Sequence, residues 1–207
     1  MITLRHSLKT IFIIMIGAGI AFFVTSQRNS KINLPLLSAS LPAVITPFDK
    51  APEEFVMDSP EGSKTLTLQK QENKNSTSYS LFVSLKSSEQ EQQIFKKEST
   101  DSATLSIPYN TWSPSTTYVF LKEKKSTGND YLVFQSSGSL FPNNLPYLSV
   151  QKLFKEKVPN YVIEDVTGWA DLTLLIINTK LIGEDKKVSF WFDIPSQSFI
   201  PLGTYFK

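Results

Sequence analysis

The chain is predicted to fold as an all-β domain carried behind an N-terminal transmembrane helix. Three observations point there: one uninterrupted apolar run near the start, short β-branched and aromatic runs separated by polar turns from Phe55 onward, and turn-forming groups that recur at similar intervals. A length of 207 residues suits one domain plus a membrane segment. Hydrophobic residues make up 41% of the chain and aromatic ones 12%, enough apolar area to offset the entropy of ordering a core.

The leader comes first. Arg5, His6 and Lys9 precede Ile11, Phe12, Ile13, Ile14, Met15, Ile16, Ile20, Phe22, Phe23 and Val24. A basic flank before an apolar run targets a chain to the membrane with its N-terminus inside, so a single-pass protein with a cytoplasmic N-terminus and the domain outside is expected. At about 15 to 17 residues the run lies between a signal-peptide core and a comfortable span of about 20. Two outcomes stay open. Residues 1–26 remain as an anchor, with Lys9 snorkelling so that Leu4 and Leu8 extend the buried stretch, or cleavage near Ser26 leaves a secreted or periplasmic domain.

The formal net charge of +2 is accounted for by Arg5 and Lys9, since the first 26 residues hold no acid. The rest of the chain is balanced, so no basic stripe and no nucleic-acid partner is expected. The sequence has no cysteine, and His6 is its only histidine. Disulfides and thiolate nucleophiles are therefore excluded. A Ser-His-Asp triad and a zinc site of the usual His/Cys type are excluded from the exported domain.

Residues 27–54 are polar and then punctuated by Pro35, Pro42, Pro47 and Pro52, which reads as an extended linker. Residues 55–207 carry the strands. Six runs have strand length and composition: Thr65 to Leu68, Tyr79 to Leu85, Tyr118 to Leu121, Tyr131 to Phe134, Leu172 to Ile177 and Val188 to Ile194. Their polar connectors, Gln71 to Thr77, Lys124 to Asn129 and Leu181 to Lys187, favour hairpins. Weaker outer strands follow at Gln92 to Phe95 and Ser198 to Ile200. One helix is expected at Leu148 to Lys157, where Val150, Leu153 and Phe154 share a face before Pro159.

The strand pairs line up as an internal repeat near residues 55–106, 107–160 and 161–207. Ser59-Pro60-Glu61-Gly62 precedes the first pair, Trp112-Ser113-Pro114-Ser115 the second and Gly168-Trp169-Ala170-Asp171 the third. The matched centres Leu66, Val119 and Leu175 are 53 and then 56 residues apart. These turns resemble the WD40-like repeat of TolB-type β-propellers, whose blades open on a tryptophan-serine-proline-aspartate-glycine turn. Ser59, Pro60, Gly62, Trp112, Ser113, Pro114, Trp169 and Asp171 carry the resemblance. Glu61 replaces the aspartate of the first copy, Asp58 stands where its tryptophan would, the second copy lacks the acid and glycine, and the third lacks serine and proline. The resemblance implies three antiparallel propeller-like blades, a partial propeller. A β-sandwich of the same strands is the alternative.

No catalytic, cofactor-binding or metal-binding residue is assigned. Trp112, Trp169 and Trp191 suit core packing better than a ligand platform. Glu164-Asp165 and Glu184-Asp185 are adjacent, and neighbours on a strand face opposite ways. Residues 165 to 171 lack the alternating acids of a calcium loop. The resemblance implies a noncatalytic protein-binding role with an unknown partner, a second copy among the options. A carbohydrate or cell-wall binding module and a carboxylate-based hydrolase are the alternatives.

Overall fold

Short polar connectors between apolar runs dictate local antiparallel pairing, and successive strands of each sheet pair that way, although residues 107–117 and 136–147 form two longer connections. The computed structural model describes residues 50–88 and 90–206, all within one unit, Thr46–Lys207. The apolar run from Ile11 to Val24 and the linker as far as residue 49 lie outside the described residues. No helix among the described residues is long and apolar enough to cross a membrane.

Among the described residues, three four-stranded antiparallel sheets form, each a meander in chain order. The first joins β1 (Glu53–Asp58), β2 (Lys64–Glu72), β3 (Thr77–Leu85) and β4 (Glu91–Ser99). The second joins β5 (Thr104–Ser106), β6 (Tyr118–Lys125), β7 (Gly128–Gln135) and β8 (Leu148–Ser149). The third joins β9 (Tyr161–Trp169), β10 (Leu174–Leu181), β11 (Lys187–Asp193) and β12 (Ser198–Phe206). The fold is therefore all-β, with three sheets and none closed on itself. One helix, α1 (Val150–Lys157), links the second sheet to the third and buries Val150 and Phe154. The Ser149 side chain caps it by accepting from the Lys152 amide at 3.1 Å.

Several boundaries differ from the sequence expectation. Glu53 and Glu54, expected in the linker, begin β1. Thr104–Ser106, expected to close the first repeat unit, pairs with β6 instead. Tyr161–Trp169 is a full strand where the sequence marks none, and it takes in Gly168 and Trp169, expected in the third turn. Its ladder to β10 shifts register twice, between Ile176 and Ile177 and between Asn178 and Thr179. Those bulges erase the alternation that would have marked it as a strand.

The second sheet is the middle layer. Its Val119, Leu121, Leu132 and Phe134 pack with Leu66, Leu68, Tyr79, Leu81 and Val83 of the first sheet. Its other face, with Phe120, Tyr131 and Val133, packs with Val166, Leu175, Ile177, Phe190 and Phe192 of the third. This two-sided burial leaves Val119, Phe120 and Leu121 buried in succession, whereas burial alternates along β10.

The turns before the second strands of the first two sheets have the same hydrogen bonds. The Ser59 amide donates to the Lys64 carbonyl and its hydroxyl accepts from the Lys64 amide, at 2.8 and 2.9 Å. Ser113 and Tyr118 repeat this at 2.9 and 3.0 Å. Gly62 has φ +70°, and Thr116 takes its place with φ +53°. The third turn is one residue shorter, closing with the Ala170 amide on the Leu174 carbonyl at 2.8 Å. Asp171 orders it by accepting from the Leu172 amide at 2.7 Å. Pro60 and Pro114 stand second in their turns, after the bonded serines.

These bonds correct the expected register. They match Lys64 with Tyr118, so Leu66 corresponds to Phe120, and Val119 corresponds to Thr65. Leu66, Val119 and Leu175 are all fully buried in second strands, but Leu66 lies on the opposite face from the other two. A one-residue slip exchanges the two faces of a strand. Among the described residues the first sheet is covered only on the side toward the second, and its apolar residues fall on the face that Phe120 occupies in the middle sheet.

Candidate interaction surface

The tryptophans show how the layers are joined. Trp112 Nε1 donates to the Met57 carbonyl of β1 at 3.1 Å. Trp169 Nε1 donates to the Thr111 carbonyl, just before Trp112, at 3.3 Å. Each indole thus ties its sheet to the preceding one. Asp58 holds the corresponding place in the first turn, where no sheet among the described residues precedes it. Gly168, with φ +139°, lets β9 come close enough that a Cβ there would meet Asn110 Cβ at 2.9 Å.

The outer faces of the stack differ in chemistry. On the first sheet the outer rows are Asp58, Thr65, Ser84 and Glu91; Val56, Thr67, Phe82 and Gln93; and Glu54, Gln69, Ser80 and Lys96. That face is mostly hydroxyl, amide and charged groups, the composition of a solvated end face. On the third sheet Gly168, Ile176, Trp191 and Ile200 form one row across all four strands. Leu174 flanks the row, with Val162 farther along the sheet beside Lys180. Ile200 is 43% exposed and Val162 45% exposed. Trp112 belongs to the core and Trp169 packs against it, as expected, but Trp191 belongs to neither cluster. Period-2 alternation places Phe190 and Phe192 inward, and Trp191 consequently faces out.

Polar groups cluster between sheets. Asp165 Oδ1 accepts from the Tyr131 hydroxyl at 2.8 Å and lies 3.5 Å from Lys122 Nζ. These groups and Tyr109, 87% exposed, line a groove of 380 Å³. A larger groove of 730 Å³ runs along β4 beside Lys64, Ser136 and Ser137. Glu123 on β6 is 1% exposed and is held by Lys97 of the first sheet and by Lys125 at 2.7 Å. Three of the four carboxylates in the acidic pairs noticed in the sequence are committed to lysines: Glu164 to Lys187 at 3.3 Å, Asp165 to Lys122, and Asp185 to Lys180 at 2.9 Å. Among the described residues no three His, Asp or Glu side chains gather as a metal site would need.

Burial, and then the bond to the Asp165 carboxylate, pushes the Tyr131 hydroxyl well above its ordinary value of 10.0. The raised value means that Tyr131 contributes stability that is fully present below pH 10.0 and is lost as pH rises beyond it, because the unfolded chain ionises first. Tyr131→Phe is expected to cost about 1–2 kcal/mol at neutral pH and to flatten this alkaline loss. Denaturant titrations of both proteins across the alkaline range test it. Parallel losses in the two would count against it.

Sequence reasoning missed Ile176 and Ile200 and assigned Trp191 to the core, since all three are ordinary strand residues with no local motif. Only their meeting on a face that no described residue covers distinguishes them. The molecule is thus an all-β protein of three stacked meander sheets with one polar and one partly apolar end. No protein-family model, curated protein or solved structure matches the chain.

Proposed function

We propose that this is a noncatalytic protein held at a membrane by its N-terminal helix, with a partial β-propeller outside the cytoplasm that presents a surface for protein binding. The carrying observation is the difference between the end faces, because no described residue covers the apolar row on the third sheet while the opposite face is mostly polar. The three blades are read from the meander order of each sheet and from the tryptophan that joins each later sheet to the one before. The membrane assignment rests on the basic flank and the apolar run from Ile11 to Val24, and secretion after cleavage near Ser26 is its alternative.

The alternative of a carbohydrate module draws on one observation, the exposed Tyr109 beside Asn110, Lys122 and Asp165. A lone ring without a second aromatic platform gives it less support than the apolar row gives protein binding.

The test is photo-crosslinking in cells expressing the full chain, with a photoreactive amino acid at position 191 or, as control, at the exposed Glu54 on the polar end face. Adducts from position 191 and not from position 54, in a membrane fraction where protease reaches the domain only from outside, are the expected result. Equal labelling from both positions would remove the surface assignment. Recovery of the chain in the cytosol would remove the location.

A further inference from the structure

The row through Ile176 has counterparts on the two covered faces. Met57, Leu66, Val83 and Gln92 form the matching row of the first sheet. Thr111, Phe120, Val133 and Leu148 form that of the second, Thr111 being tied to Phe120 by backbone and hydroxyl bonds at 3.0 and 2.5 Å. Each of these rows receives the next sheet in the same manner. An indole N–H reaches the carbonyl at the row's first position, from Trp112 to Met57 and from Trp169 to Thr111. Val119 and Leu175, paired with those tryptophans, are fully buried, as are Leu121 and Ile177 two residues farther on. In the third row the first position is Gly168, and no further sheet among the described residues covers it.

Resting on the reading of this face as the binding surface, we infer that it is a socket for a fourth antiparallel sheet supplied by a different protein, whose leading turn carries a tryptophan-like ring N–H donor beside a branched apolar side chain. Continuity with the two interfaces inside the chain specifies this occupant. A second copy stacked head to tail does not meet the specification. Its free face has Asp58 where Trp112 and Trp169 stand, Thr65 in place of Val119 and Leu175, and Thr67 in place of Leu121 and Ile177. Docking it would bury the Asp58 carboxylate and the Thr65 hydroxyl that donates to it against Ile176 and Trp191, a desolvation cost with no indole bond in return.

Supplying the missing features makes the chain its own probe. The full-length Asp58→Trp/Thr65→Val/Thr67→Leu variant, studied in detergent by sedimentation beside the wild type, is expected to associate with itself while the wild type stays monomeric. Adding Ile176→Lys is expected to weaken that association by at least about tenfold. Asp58→Trp alone, at an exposed position, perturbs the fold least and is expected to shift association in the same direction by a smaller factor. Variants with native near-ultraviolet dichroism that sediment as monomers would overturn the socket. Wild-type self-association that Ile176→Lys abolishes would overturn it too, by making a second copy the occupant. In either case adducts from position 191 would leave the face as a binding surface, and their absence would remove both readings.

Discussion

Trp112→Ala is expected to cost about 3–5 kcal/mol of unfolding free energy, the range for deleting a large buried aromatic. The residue is buried in the cluster between the first and second sheets, and its indole bond to Met57 is one of the polar ties between them. Trp112→Phe keeps most of the packing and loses that bond, so about 1–2 kcal/mol is expected. Trp191→Ala, on the open face, is expected to cost less than about 1 kcal/mol. Urea titrations of the three variants would establish the order. A Trp191→Ala loss as large as that of Trp112→Ala would mean that the third sheet's outer face is covered, and the interaction surface would have to be abandoned.

The second large effect concerns Glu123, a carboxylate with 1% exposure whose partners, Lys97 and Lys125, keep 29% and 34% of their side-chain surface. The asymmetry decides which change is worse. Removing the carboxylate frees two lysines that already reach water, whereas removing both lysines leaves a buried charge with nothing to balance it. Lys97→Ala/Lys125→Ala is therefore expected to cost about 3–5 kcal/mol, and Glu123→Met much less. The hydrogen bond to Glu123 raises the Lys125 ammonium above its ordinary 10.5. The stability this adds is fully present below pH 10.5 and lost as pH rises through the raised value. Thermal melts at neutral pH and in the alkaline range would show the wild type approaching the double variant as pH rises. A Glu123→Met protein less stable than the double-lysine variant at neutral pH would refute the ordering.

Both effects depend on contacts between sheets, where the sequence is least informative. The central hairpins were legible because each is local: an apolar run, a short polar connector and a second run specify pairing within about 20 residues of chain. Their strands are β2 with β3, β6 with β7 and β10 with β11. The helix was legible from Val150, Leu153 and Phe154 followed by Pro159, although Leu148 and Ser149 belong to β8. Of the edge strands, β4 and β12 were legible in part, through Gln92 to Phe95 and Ser198 to Ile200, and the others were not. β5 and β8 have three and two residues, too few for a period, and β9 is interrupted by bulges.

By itself, then, the sequence determined an all-β domain of antiparallel hairpins, the serine turns that precede the second strands of two sheets, and the absence of thiol and histidine chemistry from that domain. The packing of sheet on sheet decided the rest. Leu66 and Val119 look interchangeable in a string of alternating residues, yet they lie on opposite faces, because among the described residues the first sheet is covered on one side and the second on both. The same packing buried Glu123, drew Trp112 and Trp169 inward and left Trp191 outward. The physical reason is that pairing within a hairpin is set by neighbouring residues, while the covering of a face depends on which distant sheet lies over it.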